Sequence, residues 1–134
     1  MLDLADVADT DLVYDLGSGD GRIVIAAAAD RGAHGVGIEI DDGLVALSRE
    51  RAREAGVEDL VRFVREDFFE SSFREATVVM LYLQPKVNRK LRPILEEQLP
   101  SGTRVVSHRY EIRGWIPIRR VKVEGRWVYL YRVP

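Results

Sequence analysis

The chain has 134 residues, 46% of them hydrophobic and 31% charged, with a formal net charge of −2, which suits one domain over residues 1–134 whose core needs no staples. It has no cysteine and only two histidines, His34 and His108, so disulfide frameworks, thiolate zinc sites, cysteine nucleophiles and multi-histidine metal centres are excluded and no metal is expected. No apolar run approaches the ~20 residues of a membrane span, and Met1-Leu2-Asp3-Leu4-Ala5-Asp6 lacks the basic head of a signal peptide, so the expectation is a cytoplasmic protein without membrane contact.

Leu12–Leu16 is a short apolar run that ends in glycines and reads as a buried strand. Arg22–Arg31, with Ile23, Ala26 and Ala27 on one side, reads as a helix stopped by Gly32. Gly35–Ile40 is a second strand. Asp41 or Asp42 can cap a second helix, carried by Leu44, Leu47, Ser48, Ala52 and Ala55 as far as Gly56. Val61–Arg65 and Thr77–Leu83 are the third and fourth strands, with loop or a single helical turn over Phe68–Glu75. Val87, Leu91, Ile94, Leu95 and Leu99 form a helical core-facing stripe, within which Pro93 predicts a kink or a restart. Thr103–His108 is a fifth strand. Arg119–Val123 and Trp127–Val133, around Glu124-Gly125, form an antiparallel hairpin.

Strands alternating with helices imply parallel crossover units, and near-continuous apolar strands imply a sheet covered on both faces. The expected fold is a doubly wound, mostly parallel α/β sheet with an antiparallel C-terminal hairpin. Ligands bind such sheets beyond the carboxyl ends of the strands, where the strand order reverses.

Three features stand at such ends. The first is Asp15-Leu16-Gly17-Ser18-Gly19-Asp20-Gly21-Arg22, a strand-to-helix turn in which Gly17 permits the tight bend and Gly19 lets a ligand approach the backbone. A dinucleotide fingerprint would place its third glycine at position 22, where Arg22 stands. Asp15 and Asp20 would repel a pyrophosphate and suit a ligand bearing an ammonium or sulfonium group, although the glycines alone would also make a plain turn. The second is Glu39, placed to accept hydrogen bonds from both hydroxyls of an adenosine ribose, with Ile40 available to pack on the adenine; a solvated strand-end acid is the alternative. The third is Glu66-Asp67-Phe68, where Asp67 can accept from an adenine amino group and a backbone N–H can meet a ring nitrogen, or which is an ordinary acidic loop.

Together these motifs resemble the class I S-adenosylmethionine-dependent methyltransferases. The resemblance implies a seven-stranded Rossmann-like sheet of order 3-2-1-4-5-7-6, S-adenosylmethionine as cofactor, Gly17 and Gly19 beside its methionine part, Glu39 on its ribose and Asp67 on its adenine, with Phe68 also counted among the cofactor-binding residues. A narrower likeness is carried by Asp15–Val24, Gly37-Ile38-Glu39, Glu66-Asp67-Phe68 and Leu99-Pro100-Ser101-Gly102-Thr103-Arg104-Val105-Val106-Ser107, and less specifically by Arg109-Tyr110 and Trp115-x-Pro117. These are similar to the small protein-lysine methyltransferases, which include the enzymes acting on the ATP synthase c-subunit and on adenine nucleotide translocase. Family members carry a segment ahead of the first motif, whereas here the motif begins by Tyr14.

The resemblance implies methyl transfer, with a protein lysine as the favoured acceptor. Met80-Leu81-Tyr82-Leu83-Gln84-Pro85 occupies the acceptor-side position and lacks the Asn/Asp-Pro-Pro-aromatic sequence of base-methylating members. The Leu83 and Gln84 backbone or side-chain acceptors, with Tyr82, are expected to orient an amine; the alternative for Tyr82 is a core aromatic on a strand. His108 is either a proton acceptor or a structural histidine, and His34 is given no role. Residues 101–134 carry eight Lys+Arg against two acids, a net of +6, which reads as the solvent face of the hairpin or as a contact for something acidic. A protein substrate is therefore the expected partner, with nucleic acid through the basic tail less favoured and self-association compatible. An RNA or small-molecule methyltransferase and a non-catalytic binding module are the alternatives.

Overall fold

A computed structural model describes the whole chain, Met1–Pro134. Seven strands, β1 (Leu12–Leu16), β2 (His34–Glu39), β3 (Val61–Arg65), β4 (Val78–Leu81), β5 (Arg104–His108), β6 (Arg119–Val123) and β7 (Arg126–Arg132), form one sheet of order β3-β2-β1-β4-β5-β7-β6. The first five pair in parallel, and β7 runs antiparallel to both β5 and β6. The expected fold and strand order are those observed. The order reverses at β1, whose neighbours are β2 and β4, so the carboxyl ends of these strands flank the crevice.

Strand alternation splits the core in two. Val13, Val78, Met80, Val106, Val128 and Leu130 face helices α1 (Arg22–Arg31) and α2 (Asp42–Glu54) together with the N-terminal turn. Tyr14, Leu16, Val79, Leu81, Val105 and Tyr131 face helix α3 (Pro85–Gln98). Asp41 caps α2 by accepting from the Leu44 N–H at 3.0 Å, satisfying one of the four N–H groups that a helix start leaves unpaired.

Two expectations shift. β4 ends at Leu81, so Tyr82 and Leu83 leave the sheet as the approach to α3. No restart occurs at Pro93: α3 runs through it as one helix. Pro93 and Arg89 both lie on the exposed face, so water can satisfy the Arg89 carbonyl that loses its N–H partner, while Leu91 and Leu95 hold the opposite face in the core.

The amino end of the sheet is tied by a buried ion pair. Asp11, 6% exposed, pairs with Arg104 and accepts from the Thr77 hydroxyl at 2.7 Å and the Ala8 N–H at 2.9 Å. Arg104 also donates to the Ala5 carbonyl at 2.6 Å, so one guanidinium joins the N-terminal turn to β5. Burial alone would raise the Asp11 carboxyl; the Ala8 N–H, Thr77 and Arg104 outweigh it and hold it below its ordinary value. Its contribution to stability is therefore complete above the unfolded carboxylate range and is lost as pH falls through the lowered value. Arg104→Met should cost about 3 kcal/mol in urea unfolding at neutral pH, because it leaves a buried charge unpaired. Asp11→Asn should make acid unfolding shallower; an unchanged acid limb would remove Asp11 from that account.

Candidate functional site

The site is built on three turns at the carboxyl ends of β1, β2 and β3. After β1, the Gly17 and Ser18 N–H groups both donate to the Ile38 carbonyl, at 2.8 and 3.0 Å, which folds the turn back over the end of β2. Glu39 closes the same corner. Its Oε1 accepts from the Gly19 N–H at 2.8 Å and its Oε2 from the Asp41 N–H at 3.0 Å. A carboxylate has about four lone-pair sites, so each oxygen keeps one free for a second donor.

The glycines divide by task. Gly19, at φ 58°, has no heavy atom within 4 Å of where a Cβ would stand, so its face opens onto the cleft. A Cβ on Gly21 would lie 2.7 Å from Phe63 and 2.9 Å from the Ser48 hydroxyl, so this third glycine is demanded by packing and not by a ligand.

Two clefts meet at Gly17. One, of about 350 Å³, is lined by Asp15, Gly17, Ser18, Gly19, Asp20, Arg22, Ile23 and Tyr82. The other, of about 210 Å³, is lined by Gly17, Ile38, Glu39, Ile40, Glu66, Asp67, Phe68 and Phe69. All eight residues expected on the cofactor side thus border one bipartite groove, although neighbouring chain already engages several of them. The Asp67 side chain caps the short turn Phe68–Glu70 by accepting from the Phe69 N–H at 2.9 Å. Ile40 is 62% exposed at the rim, an apolar surface open to a flat partner.

The two aspartates differ sharply. Asp20 is paired with Arg22 at 2.7 Å and Arg51 at 3.1 Å, and chiefly through its hydrogen bond from Arg22 its carboxyl is held down at about 2. Asp15 has no cation beside it. Burial first, then the charges of Glu39 and Asp20, push its carboxyl up to about 8. A buried acid without a counter-charge, bordering an open cleft, fits a ligand that brings a positive charge.

On the acceptor side, Tyr82 is 50% exposed and lines the larger cleft. Its hydroxyl accepts from Arg126 at 2.9 Å, and its ring lies 4.2 Å from that of His108. The buried His108 Nδ1 has no hydrogen-bond partner; burial, and then the charge of Arg126, holds the imidazole below its ordinary value, so it is neutral at pH 7. Gln84 stands apart. It precedes α3, its carbonyl accepts from the Val87 and Asn88 N–H groups, and its exposed side chain borders neither cleft.

Sequence reasoning passed over Arg126, Ser18 and Asn88. The Asn88 amide nitrogen lies 3.4 Å from Ser107 Oγ, and its Oδ1 is buried without a partner. Its signal was readable: Asn88 sits three and seven residues before Leu91 and Leu95, a polar residue on the apolar stripe.

The model of the ANTKMT methyltransferase domain matches residues 15–119. A protein-lysine N-methyltransferase of Saccharolobus islandicus is 46% identical over 136 aligned positions, covering 98% of this chain and 84% of the relative. The mouse adenine nucleotide translocase lysine N-methyltransferase is 39% identical, covering 90% of this chain and 53% of that protein, so the chain spans about half the length of this mammalian relative. A crystal structure described as an RNA methyltransferase of Salinibacter ruber in complex with S-adenosyl-L-homocysteine is 60% identical, with a TM-score of 0.97 over 99% of this chain and 87% of that one.

The two glycines give a direct check on the packing argument. Gly21→Ala should lower the melting temperature strongly by driving a methyl into Phe63, whereas Gly19→Ala should cost only the ~1 kcal/mol of a left-handed backbone. Equal losses in thermal melts would mean that the third glycine is not packing-bound.

Proposed function

The chain belongs to the family of the ANTKMT methyltransferase domain, and from that premise we propose that it transfers the methyl group of S-adenosylmethionine to the side-chain amine of a protein lysine. The observation that carries the cofactor assignment is the unpaired Asp15 in the cleft beside Gly19. The lysine rests on the relatives' names, seven of which are lysine methyltransferases. The Salinibacter protein's description favours RNA instead, and the basic C-terminal segment is the feature of this chain that would serve it.

When bound, S-adenosylmethionine supplies a methyl carbon on a sulfonium sulfur, open to in-line displacement that leaves a neutral thioether. The residues that would hold it are Asp15 and the Gly17–Gly19 backbone at the charged methionine end, the free lone pairs of Glu39 at the ribose, and Asp67, Phe68 and Ile40 at the adenine. Asp20, tied by two arginines, shapes the turn more than it meets the ligand. Tyr82 borders the cleft on the side where the amine would enter.

Alignment of nucleophile and methyl supplies most of the rate in such a displacement. The amine must also be neutral, against an ordinary lysine pKa near 10.4, and leaving water beside Tyr82 lowers that value. His108, packed against Tyr82, is a weak acceptor for that proton, because burial and the Arg126 charge oppose its charged form, and the proton is left to solvent. Gln84 would act from outside the cleft, at the mouth of α3.

Glu39→Ala should weaken S-adenosylmethionine binding about a hundredfold, since hydrogen bonds to a charged acceptor contribute roughly 1.5–3 kcal/mol each; an affinity within twofold of wild type in calorimetry would remove Glu39 from the ribose. Asp15 gives a pH signature. Its raised carboxyl is protonated below about 8 in the free protein, and a cationic ligand favours the ionised form. Binding should therefore release a proton near neutral pH and tighten as pH rises towards 8, and Asp15→Asn should abolish both effects. Titrations in buffers of different ionisation enthalpy check this; no proton release would contradict the Asp15 assignment. The acceptor is tested with labelled methyl donor and cell extract: label lost to protease and stable to RNase supports the reading, and the reverse pattern supports RNA.

A further inference from the structure

Cations are unevenly neutralised in this chain. Of the eight arginines and lysines in residues 1–80, six are paired with a carboxylate; of the twelve in residues 81–134, only Arg92 and Arg104 are. Several of the unpaired ones gather at the end of the sheet where the acceptor must enter. Lys86 and Arg89 lie in the first two turns of α3, Arg109 and Arg113 in the segment after β5, and Arg126 at the start of β7, on the hydroxyl of Tyr82. All five are exposed.

Stability does not account for this placement. Cations in the first turn of a helix oppose its dipole. Arg109 adopts a left-handed backbone, φ 76°, of about 1–2 kcal/mol cost for a residue with a Cβ. It is locked there by its N–H bond to the Trp127 carbonyl at 2.7 Å. The segment is fastened to α3 as well: Arg92 donates to the Arg113 carbonyl at 2.7 Å, and a Cβ on Gly114 would collide with that guanidinium. Between the helix and this segment lies a cleft of about 230 Å³, lined by Pro85, Arg89, Tyr110, Glu111 and Arg113. Glu111 is the one acid lining it.

We propose that this cationic cleft and its rim bind an acidic segment of the protein substrate, so that the enzyme selects lysines flanked by aspartate or glutamate. The inference rests on the lysine reading and deepens it. Charge complementarity supports this occupant: four exposed cations with no carboxylate partner, Lys86, Arg89, Arg109 and Arg113, stand around a cleft that holds one acid, Glu111, so carboxylates beside the target lysine would meet them. An RNA would be drawn by the same charge, but the large aromatic of the hairpin, Trp127, is already covered by Arg120 at 4.3 Å and Lys122 at 5.4 Å from its ring and offers no free face for a base.

Short acetylated peptides with one central lysine, flanked on both sides by glutamates, glutamines or arginines, provide the test with labelled S-adenosylmethionine. The glutamate-flanked peptide should show a KM about tenfold below that of the arginine-flanked one at low salt, through several exposed pairs acting together, and the gap should close as salt is raised. Arg89→Glu combined with Arg113→Glu should reverse the order while leaving S-adenosylmethionine affinity as in wild type, which shows that the variant is folded. Equal KM values for the three peptides, or an order unaltered in the double variant, would overturn the acidic-segment inference and leave lysine methylation standing. No transfer to any peptide, with label entering RNA, would overturn the lysine reading itself.

Discussion

One carboxylate joins the two turns on which the site depends. Glu39 accepts from the Gly19 N–H with one oxygen and from the Asp41 N–H with the other, so it fixes the glycine turn after β1 and the entry to α2 together. The turn leans on the Ile38 carbonyl next door, and the Asp41 side chain caps the helix. Both oxygens retain acceptor capacity, and Glu39 lines the groove. The bond that organises the free protein is thus the same group that would receive the cofactor, which needs little rearrangement on binding.

Around that corner the charge is divided. The groove gathers Asp15, Asp20, Glu39, Glu66 and Asp67 at the ends of three strands, whereas Lys86, Arg89, Arg109, Arg113 and Arg126 stand exposed at the start of α3, after β5 and at the start of β7. Asp20 is compensated by Arg22 and Arg51, and Asp15 is not. A donor that arrives positive and leaves with its sulfur neutral is matched to such a carboxyl: the attraction is strongest before transfer and weaker afterwards, which also favours release of the product.

Much of the sheet was legible because β1, β4 and β5 are short, mainly apolar runs and β6 and β7 alternate around Glu124-Gly125, and the strand order came from resemblance rather than from any pattern in the residues. The glycine turn, Glu39 and Asp67 stood out for another reason, that each falls where a strand ends, and in the structure they line one groove. The division between Gly19 and Gly21 was not, because the demand at Gly21 comes from Phe63, on β3, forty-two positions later in the chain. The pairing of Asp20 with Arg51 and of Tyr82 with Arg126 is equally non-local. Of the kink or restart expected at Pro93 the restart does not occur, since a helix tolerates the lost N–H bond where the freed carbonyl faces water. Gln84, singled out by its position after β4, is exposed at the start of α3 and lines neither part of the groove.

The most direct measurement of the central claim is identification of the methylated residue by mass spectrometry, after the purified protein is incubated with S-adenosylmethionine and the protein fraction of a cell extract. Transfer to a protein lysine predicts methyl groups on a lysine side-chain nitrogen, strongly reduced at limiting S-adenosylmethionine when Glu39→Ala replaces the wild type. Methylated nucleosides in a parallel RNA sample, with no methyl-lysine formed, would contradict it.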